Sequence, residues 1–528
     1  MVGDRCGRAR GCPSCCHMIR SIDFHSALRF ALLAMLVSSL VGAESGSWNQ
    51  FRGPNGSGVA PGCKPPVKLD GNLTWKIPVP PGLSAPVVFG DRIFLTAVEG
   101  ERLVTLAYDK STGKLAWRQA APESKTEKVH KANSLATPTP FADKDRVYVY
   151  FGSYGLLCYD HQGREQWKKP IPAAGNMYGT ATSPIGHGDK LILVLDNDAN
   201  LPNSRVSRSK VVALNKANGD LVWETPRPLQ RSSWSTPMLW KYEGGEDLVI
   251  FGNGRVYGYH SETGAEKWSV TGFSREAITS PVAGSGHLFV VSAQGGTPDE
   301  DFDPEPFWKA ILQFDKDGDQ RVARGEMTEH FTFPFRPELP PGHPGFGLPM
   351  PTDPARRKQR QNGLFHSVDK NKDGFWTRDE FVAHTTTRRG NPILKAIRPG
   401  GHGDVTDSHV TWQLRKSIPE IPSPLFYQDR LYLVRNGGVL AAIDAAQGEI
   451  LYRKRLGGSG MYSASPVVAN DHLYLASDQG LVSVVKAGDY ELVHQHDLKE
   501  AVLVTPALDA TTIYIRSRKH LWAFRTKN

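Results

Sequence analysis

Cysteine is scarce in this chain beyond its first 16 residues. Of six cysteines, four lie at positions 6, 12, 15 and 16, and only Cys63 and Cys158 follow. Two cysteines are too few for a disulfide scaffold, and the sequence leaves open whether they pair. The chain also lacks a serine nucleophile elbow, a phosphate-binding glycine loop and a zinc-protease helix motif. These absences exclude several common enzyme classes.

Long runs of one charge are also missing. The net charge is +9, and it falls to +6 when residues 1–43, with five arginines and two aspartates, are left out. The most basic run, residues 356–360, has no interleaved aromatic residues and shows no nucleic-acid footprint. With 39% hydrophobic and 22% charged residues, the composition is typical of a globular chain.

The N-terminus has the pattern of a targeting segment. From Met18 the chain has two arginines, an apolar stretch over 30–41 and small residues at 41–43. This pattern predicts a signal peptide over 1–43 and export to the periplasm, the cell surface or the medium, a membrane anchor being the alternative. The four early cysteines and His17 could form a zinc cluster, but they precede Met18, a second plausible start.

The remaining chain repeats one phrase: a proline step, mostly Ser-Pro or Thr-Pro, a β-rich run, a turn with glycine, and a large aromatic residue. Successive prolines lie 40–53 residues apart, except for one interval of 143 residues. This period is typical of four-stranded propeller blades. The eight prolines are Pro86, Pro138, Pro184, Pro237, Pro281, Pro424, Pro466 and Pro506.

The aromatic residue after each turn is expected to pack on the neighbouring blade, because one blade cannot bury both of its faces. The pattern weakens towards the C-terminus, and the residues are Trp117, Trp167, Trp223, Trp268, Tyr452 and His494.

The two ends of the chain complement each other. The last repeat stops after residues 521–524, before any turn and aromatic strand, whereas an orphan strand at 73–77 precedes the first repeat. Joining them completes eight blades and leaves no open sheet edge. We therefore predict an all-β, eight-bladed β-propeller, with seven blades and a loose end as the alternative.

The phrases 109–117 and 263–268 (D-x-x-T-G-x-x-x-W and T-G-x-x-x-W) resemble the PQQ-like propeller repeat of BamB-type lipoproteins and quinoprotein dehydrogenases. The opening phrase over 48–56, W-N-Q-F-R-G-P-N-G, is similar to that of exported PQQ-like propellers of planctomycete-type bacteria. The resemblance implies the fold. The chain differs from quinoprotein dehydrogenases because it has no adjacent cysteines after residue 43. It differs from BamB lipoproteins because it lacks a lipobox cysteine. The quinone PQQ is therefore a cofactor that we do not expect.

An insert with two acidic loops interrupts the repeat. Loop 2 (residues 369–380) matches the twelve-residue EF-hand at each key position, including a glycine at position 6. Its predicted calcium ligands, at positions 1, 3, 5, 7 and 12, are Asp369, Asn371, Asp373, the Phe375 carbonyl and Glu380.

Loop 1 (residues 315–326) has the same pattern with Gln320 in place of the glycine, which predicts strain and lower affinity. Its predicted ligands are Asp315, Asp317, Asp319, the Arg321 carbonyl and Glu326. Val322 and Trp376, at position 8 of the two loops, are expected to form a short β-bridge. The proline-rich connector between the loops, 333–351, is expected to be exposed.

The predicted domains are a leader over 1–43, a first propeller part over 44–297, the EF-hand insert over 298–403 and a second propeller part over 404–528, with 73–77 closing the ring. Polar turns at the central funnel are the remaining candidates for function. They give Asp196, Asp198, Arg231 and Trp234 as funnel residues. His402, Asp404, Asp407 and His409 could form a metal cluster or simply the exit from the insert.

Two functions fit these features. The first is a non-enzymatic exported scaffold that binds calcium and uses its propeller face for a protein or glycan partner. The alternative is a PQQ-dependent oxidoreductase or another funnel-based enzyme. An acidic funnel with a tryptophan floor and an internal cation site would favour the enzyme, whereas an apolar patch on the rim would favour the scaffold.

Overall fold

The computed structural model describes residues 47–197, 208–293, 303–327, 331–336, 339–340, 342–386 and 391–527. The predicted signal peptide, 1–43, lies outside them. Among the residues described, no helix is long and apolar enough to cross a membrane.

Within these residues the chain forms eight blades, seven of four strands and one of five, which confirms the predicted eight-bladed β-propeller. Strand β1 (Leu73–Pro78) comes first and belongs to blade eight. Blades one and two comprise β2 (Val87–Phe89), β3 (Arg92–Glu99), β4 (Arg102–Asp109), β5 (Leu115–Ala120), β6 (Phe141–Ala142), β7 (Arg146–Phe151), β8 (Gly155–Asp160) and β9 (Glu165–Pro170). Blades three and four comprise β10 (Ile185–His187), β11 (Lys190–Leu195), β12 (Lys210–Asn215), β13 (Leu221–Pro226), β14 (Met238–Tyr242), β15 (Gly245–Gly252), β16 (Arg255–Tyr259) and β17 (Glu266–Thr271).

Blade five carries the insert between its second and third strands. It begins with β18 (Val282–Gly284) and β19 (His287–Ser292). The insert follows, with α1 (Glu305–Ile311), β20 (Val322–Ala323), β21 (Thr332–Pro334), β22 (Gly347–Pro349), α2 (Pro354–Val368), β23 (Phe375–Trp376) and α3 (Arg378–Thr386). The blade then resumes with β24 (Ile393–Ile397) and ends with β26 (Val410–Leu414). Between these two strands lie α4 (Thr406–His409) and β25 (Gly403–Asp404), which adds a fifth strand to blade four.

The last three blades complete the ring. Blade six comprises β27 (Leu425–Tyr427), β28 (Arg430–Arg435), β29 (Val439–Asp444) and β30 (Ile450–Arg455). Blade seven comprises β31 (Val467–Ala469), β32 (His472–Ala476), β33 (Leu481–Lys486) and β34 (Glu491–Asp497). Blade eight comprises β35 (Ala507–Asp509), β36 (Thr512–Arg516), β37 (His520–Arg525) and β1.

The position of a strand within its blade decides its sequence pattern. The second and third strands, such as β7, are buried along almost their whole length because each blade packs between two others. The fourth strands, such as β5, alternate exposed with half-buried residues because one face meets solvent. Tight turns join the last two strands. In the first, the Asp109 carboxylate accepts hydrogen bonds from Ser111 and Thr112, which lower its pKa to about 2.

A chain of hydrogen bonds connects seven consecutive blade interfaces at the start of the innermost strands. In each bond, the backbone N–H of the residue before the repeat proline donates to a Ser or Thr hydroxyl at the same position of the next blade. The seven N···O distances lie between 2.9 and 3.3 Å. The residues in ring order are Ala85, Thr139, Ser183, Thr236, Ser280, Ser423, Ser465 and Thr505.

This hydrogen-bond chain corrects one residue of the repeat. The member from blade two is Thr139, and β6 begins directly after Pro140. The repeat proline of that blade is therefore Pro140 and not Pro138. Residues 137–140 contain two consecutive Thr-Pro steps, and both match the repeat pattern in the sequence. Only the hydrogen bonds to the neighbouring blades show which of them begins the blade.

The junction of blades eight and one is connected by an arginine. Ala85 has no hydroxyl to offer to blade eight, and at this interface the Arg516 guanidinium donates to the Ser84 and Thr96 carbonyls at 2.9 and 3.0 Å. Complete burial lowers the pKa of Arg516 to about 10. On the same blade, β1 pairs antiparallel with β37, so the first and last strands of the propeller lie side by side.

Three aromatic residues of the fourth strands, Trp117, Trp167 and Trp223, pack on the turn of the following blade, as predicted. The Trp117 indole donates to the His161 carbonyl at 2.9 Å, and Trp167 donates to the Lys216 carbonyl at the same distance. Each ring also lies against the glycine of that turn. A Cβ on Gly264, for example, would lie 2.4 Å from the Trp223 ring. The Trp268 indole instead donates to the Asp247 carboxylate of its own blade at 2.7 Å.

The opening phrase of the described chain contacts the inner strands of several blades. The backbone of Trp48 forms a β-bridge with Val88 on β2, and Asn55 exchanges hydrogen bonds with the backbone of Leu239 on β14. Arg52 is completely buried and donates to the Pro424 carbonyl at 2.6 Å. Burial lowers its pKa to about 9. Residues 48–59 therefore link the inner sides of blades one, four, six and seven.

The insert ends earlier than the sequence predicted, because β24, residues 393–397, is the third strand of blade five. The insert has its own hydrophobic core, which includes Trp308, Phe333, Met350, Phe365 and Trp376. The expectation of an exposed connector is therefore wrong at both of its ends. The connector forms the hairpin of β21 and β22, and its apolar side chains complete the core that the helices beside the two loops contribute to.

Residues 402–409 are not the exit from the insert, because they lie after β24, in the connection between the third and fourth strands of blade five. Here β25 pairs in parallel with β17 of blade four, and the Asp404 carboxylate accepts hydrogen bonds from the backbone and hydroxyl of Thr406. These contacts account for the clustering of polar residues in this segment.

The contact of tryptophan and glycine between blades gives a test of the packing. We expect Gly264→Ala to destabilise the protein more than Gly286→Ala. Both glycines have φ above 70°, but a Cβ on Gly286 would meet nothing within 4 Å. The control therefore carries only the backbone cost of about 1–2 kcal/mol, and Gly264→Ala adds about 1–3 kcal/mol of overpacking. Urea unfolding measures both, and equal losses would contradict the packing role of the glycine.

Candidate functional site

The two acidic loops have the same backbone conformation. Position 4 has a positive φ in both, at 79° for Gly318 and 64° for Lys372. Position 6 also does, at 63° for Gln320 and 90° for Gly374. Each loop therefore places one glycine and one non-glycine residue in left-handed conformation. The strain predicted at Gln320 is present, and Lys372 carries a similar strain that the sequence did not indicate.

Loop 2 turns two of its carboxylates onto its own backbone N–H groups. The Asp369 carboxylate accepts a hydrogen bond from the Gly374 N–H at 3.1 Å through Oδ2. The Glu380 carboxylate turns back over the loop and accepts from the N–H groups of Lys370 and Thr377. Asp369 is only 3% exposed, and its Oδ1 has no hydrogen-bond partner within the described chain. A buried carboxylate oxygen without a partner is costly unless a cation or another donor approaches it.

The other predicted ligands of loop 2 order the backbone. Asn371 Oδ1 accepts from the Asp373 N–H, and Asp373 Oδ1 accepts from the Phe375 N–H, both at 2.9 Å. These short-range bonds fix the side chains at positions 3 and 5 against the loop backbone.

Loop 1 brings three carboxylates together. One oxygen from each of Asp315, Asp317 and Glu326 lies within 4.8 Å of the others. Asp319, the predicted ligand at position 5, instead pairs with the Arg321 side chain, whose Nη2 lies 2.6 Å from the carboxylate. This ion pair lowers the pKa of Asp319 and competes with a cation for the carboxylate. Loop 1 is therefore the weaker candidate.

The two loops lie side by side. Val322 and Trp376 pair across β20 and β23, as predicted for position 8. The Arg321 guanidinium lies 4.0 Å from the centre of the Phe375 ring, which joins the residues at position 7 of both loops. Trp376 is fully buried in the core of the insert. The order of one loop therefore affects the other and the insert as a whole.

Two ion pairs attach the connector to the propeller. Arg336 pairs with Glu420, in the connection from blade five to blade six, with Nε 2.8 Å from Oε2. His343 Nε2 lies 2.9 Å from the carboxylate of Asp478 in blade seven. All four side chains are largely buried. Burial raises the pKa of Asp478, and the proximity of His343 opposes this shift.

The charge of the connector acts on a residue between blades two and three. Tyr178 lies in the connection from blade two to blade three, on the other side of the ring. Burial and then the negative charges of Glu276 and Glu420 raise the pKa of Tyr178, whereas Arg336 lowers it. Residues from four regions of the chain thus share one electrostatic environment over the funnel.

The predicted funnel residue Asp196 belongs to a buried ion pair. Its carboxylate contacts Arg227 through two hydrogen bonds, of 3.0 Å to Nε and 3.2 Å to Nη2, and accepts a third from the Ser233 hydroxyl. Burial acts to lower the pKa of Arg227, but the charge and hydrogen bond of Asp196, together with Tyr259 and Tyr257, raise it overall. Arg227 also donates to the Tyr259 hydroxyl at 3.1 Å. The pair fixes the connection between blades three and four.

The other funnel candidates have different environments. The Trp234 indole is buried and donates to the Gly179 carbonyl at 2.9 Å and the Asn176 side chain at 3.1 Å. It joins the connections on either side of blade three. Arg231 is half-buried in the same segment, and Asp198 lies outside the described residues. The structure therefore brings Asp196 and Trp234 into one loop network, but as packing elements of the rim.

Sequence reasoning missed several of these residues. Arg227, Arg336 and His343 stand among ordinary turn and proline-rich residues, and their partners are distant in sequence. It also missed two exposed aliphatic residues, Met177 and Leu229, which are 58% and 78% exposed in the connections that flank blade three. The other exposed large hydrophobic residues in the described chain lie on outermost blade strands.

The fold and its repeats place the chain among PQQ-like propellers, and comparison with known families gives the assignment. The family described as "Outer membrane protein assembly factor BamB" (PQQ_2) matches residues 67–235, 207–303 and 403–528. The chain belongs to this family. No curated protein sequence matches the chain.

Solved structures with the same fold are distant in sequence. The computationally designed Ika8 protein is 10% identical, with a TM-score of 0.51 over 86% of this chain and 100% of that one. Sqt1 from Saccharomyces cerevisiae is 9% identical, with a TM-score of 0.51 over 87% and 99%. BamB from Moraxella catarrhalis is 12% identical, with a TM-score of 0.49 over 86% and 99%. At these identities the first two similarities concern the fold alone.

The buried ion pair gives a second prediction. We expect Asp196→Ala to lower the free energy of unfolding by about 3–5 kcal/mol, because it leaves Arg227 charged and buried. The control is Glu224→Ala, which removes the partner of Lys210 in a pair that is more than one third exposed. It is expected to cost about 1 kcal/mol or less. Equal losses in urea unfolding would show that Asp196 is not a packing element of the rim.

Proposed function

We propose that this protein is an exported, non-enzymatic propeller scaffold whose insert binds calcium and whose insert-bearing face binds a protein partner. The observation that carries the proposal is the buried, unpartnered Oδ1 of Asp369, in an insert that two ion pairs hold against the propeller. Calcium would thus act on a module already fixed to the face.

Calcium fits loop 2 by its chemistry. Ca²⁺ takes six to eight oxygen ligands, and loop 2 offers those of Asp369, Asn371, Asp373, Glu380 and the Phe375 carbonyl. Loop 1 offers Asp315, Asp317, Glu326 and the Arg321 carbonyl, with Asp319 held by an arginine. We therefore infer two sites, the one in loop 2 being the stronger. Extracellular sites of this kind bind at about 10⁻⁴–10⁻³ M, which suits a structural role.

The structural role follows from the core that the loops share with the connector. Trp376 of loop 2 contacts Phe333 of the connector, with their ring centres 6.1 Å apart. The connector in turn carries Arg336 and His343, which pair with blades five to seven. Calcium that orders loop 2 therefore stabilises the position of the connector over the funnel.

A protein partner is favoured over a glycan. Met177 and Leu229 are exposed on the insert-bearing face, and exposed aliphatic side chains favour protein contacts. Sugars stack on aromatic rings, and the exposed large hydrophobic residues in the described part of the chain are aliphatic. An apolar rim was the feature expected of a scaffold.

Export is supported by the leader pattern over 1–43 and by the printed description of the family as an outer-membrane assembly factor. We place the mature protein in the periplasm or at the cell surface.

The quinone suggested by the family's name does not fit the residues present. The adjacent-cysteine disulfide expected over PQQ cannot form in the described chain, where Cys63 and Cys158 are buried and unpaired. Trp234 is the candidate for the tryptophan floor of a quinone site, and its indole N–H donates to the Gly179 carbonyl and the Asn176 side chain.

Calcium binding can be measured directly. We expect calorimetry on the exported chain to show two sites, and Asp369→Ala to remove the tighter one. The control is Asp379→Ala at position 11, whose side chain is 93% exposed and is not a predicted ligand. Titrations of Asp379→Ala should match the unmodified protein. Two unchanged sites in Asp369→Ala would contradict the assignment of loop 2.

The partner face can be tested by site-specific photocrosslinking in cells. A crosslinker at 177 or 229 is expected to give one discrete protein adduct, identified by mass spectrometry. The same crosslinker at Leu115 or Leu451, equally apolar positions on outer strands, is expected to give none. Equal adducts at all four positions would contradict the proposal that this face binds a partner. Stoichiometric PQQ binding together with dye-linked alcohol oxidation would contradict the scaffold function and support the PQQ-dependent oxidoreductase.

A further inference from the structure

A second cluster of ligand atoms lies far from the insert, where the two ends of the propeller meet. His494 and His496 are two residues apart on β34 of blade seven, and Asp70 precedes β1 of blade eight. One ligand atom from each lies within 4.8 Å of the others. His496 Nδ1 lies 2.5 Å from Asp70 Oδ1, and His494 Nε2 lies 3.7 Å from Asp70 Oδ2.

The repeat departs from its pattern at this place. His494 pairs with Val484 in the same register in which Trp117 pairs with Ala107 and Trp167 with Cys158. It therefore occupies the position of the tryptophan that, in other blades, donates to the turn of the next blade. Here a histidine, with a ring nitrogen that can bind a metal, replaces an indole that cannot.

The turn that His494 faces is also unlike the others, because it is discontinuous. In blade one the Asp109 N–H donates to the Lys114 carbonyl within one turn. In blade eight the corresponding bond, of 2.9 Å, runs from the Arg525 N–H, near the C-terminus, to the Asn72 carbonyl. Gly71 takes the place of the turn glycine, and a Cβ on it would meet nothing within 4 Å. The space that a tryptophan fills elsewhere is open here.

The ligand atoms themselves point to an ion. His494 Nε2 is buried and has no hydrogen-bond partner in the part of the chain that the structure describes. Its side chain is 12% exposed, whereas that of Asp70 is 68% exposed and leaves a side open to water. Two imidazoles and one carboxylate are a donor set for zinc and neighbouring divalent transition metals, with water as a further ligand.

We propose that Asp70, His494 and His496 bind a divalent transition-metal ion, which links the segment before β1 to blade seven and fastens the junction of the ring. The site is independent of the calcium loops, since it shares no residue with them. A metal here crosslinks residues that are 426 positions apart in sequence, across the one blade that is assembled from both ends of the propeller.

Zinc binding to the full-length exported protein tests the proposal. Calorimetry is run after chelator treatment and with calcium in excess, so that the acidic loops are occupied. We expect one equivalent of Zn²⁺ to bind, and Asp70→Ala, His494→Ala and His496→Ala each to weaken binding at least tenfold. Asp70 is mostly exposed, so Asp70→Ala stays informative if a histidine variant does not fold.

His187→Ala is the matched control, because His187 is also half-buried and lies 2.9 Å from a carboxylate, that of Glu262 in the next blade. It should bind zinc like the unmodified protein. Co²⁺ gives a second readout, since its visible absorption reports imidazole ligands and should disappear in His494→Ala. Absence of saturable Zn²⁺ binding, or binding that survives in all three variants, would overturn the proposal.

Discussion

The hydrogen bonds between neighbouring blades at the inner ends of the sheets are the constraint on which this structure depends. Each blade begins with a short strand whose preceding N–H cannot be paired within its own sheet. A hydroxyl from the next blade accepts that hydrogen bond in seven of the eight interfaces described. A buried N–H without a partner costs about 1–3 kcal/mol, so each blade depends on its neighbour for its own inner strand. The Trp-to-turn contacts at the outer ends repeat the same dependence, in the same direction around the ring.

The inner hydrogen bonds and the outer Trp-to-turn contacts both differ at the place where the two ends of the propeller chain meet. At the inner side, Ala85 offers no hydroxyl, and Arg516 connects blade eight to blade one through backbone carbonyls. At the outer side, His494 stands where a tryptophan is expected, opposite the only turn in the described propeller that is made from two separate segments. A blade assembled from both ends of a chain has no continuous tight turn between its last two strands. At this junction an arginine and a histidine therefore stand where other blades have a hydroxyl and a tryptophan.

The same architecture explains why a large insert is tolerated. The insert leaves blade five after β19 and returns at β24, so the inner strand and its hydrogen bond to Ser423 are intact. The insert folds on its own hydrophobic core, and it touches the propeller through ion pairs. Because loops between second and third strands point to the same face as the connections between blades, the insert lies beside the funnel. The acidic loops are thereby brought close to the surface that we propose for a partner.

The sequence by itself determined the features that lie within one stretch of chain. The blade period, the closing strand and the acidic loops are readable because their residues are neighbours in sequence: a twelve-residue loop shows all its oxygens at once. Tertiary structure alone decided the rest. It selected Pro140 over Pro138 because register is set by the neighbouring blade, and it buried the proline-rich connector because the insert needed its apolar residues as core. It also joined Asp196 to Arg227 and Asp70 to His494 and His496, which no local pattern relates, since only the closed ring brings their segments into contact.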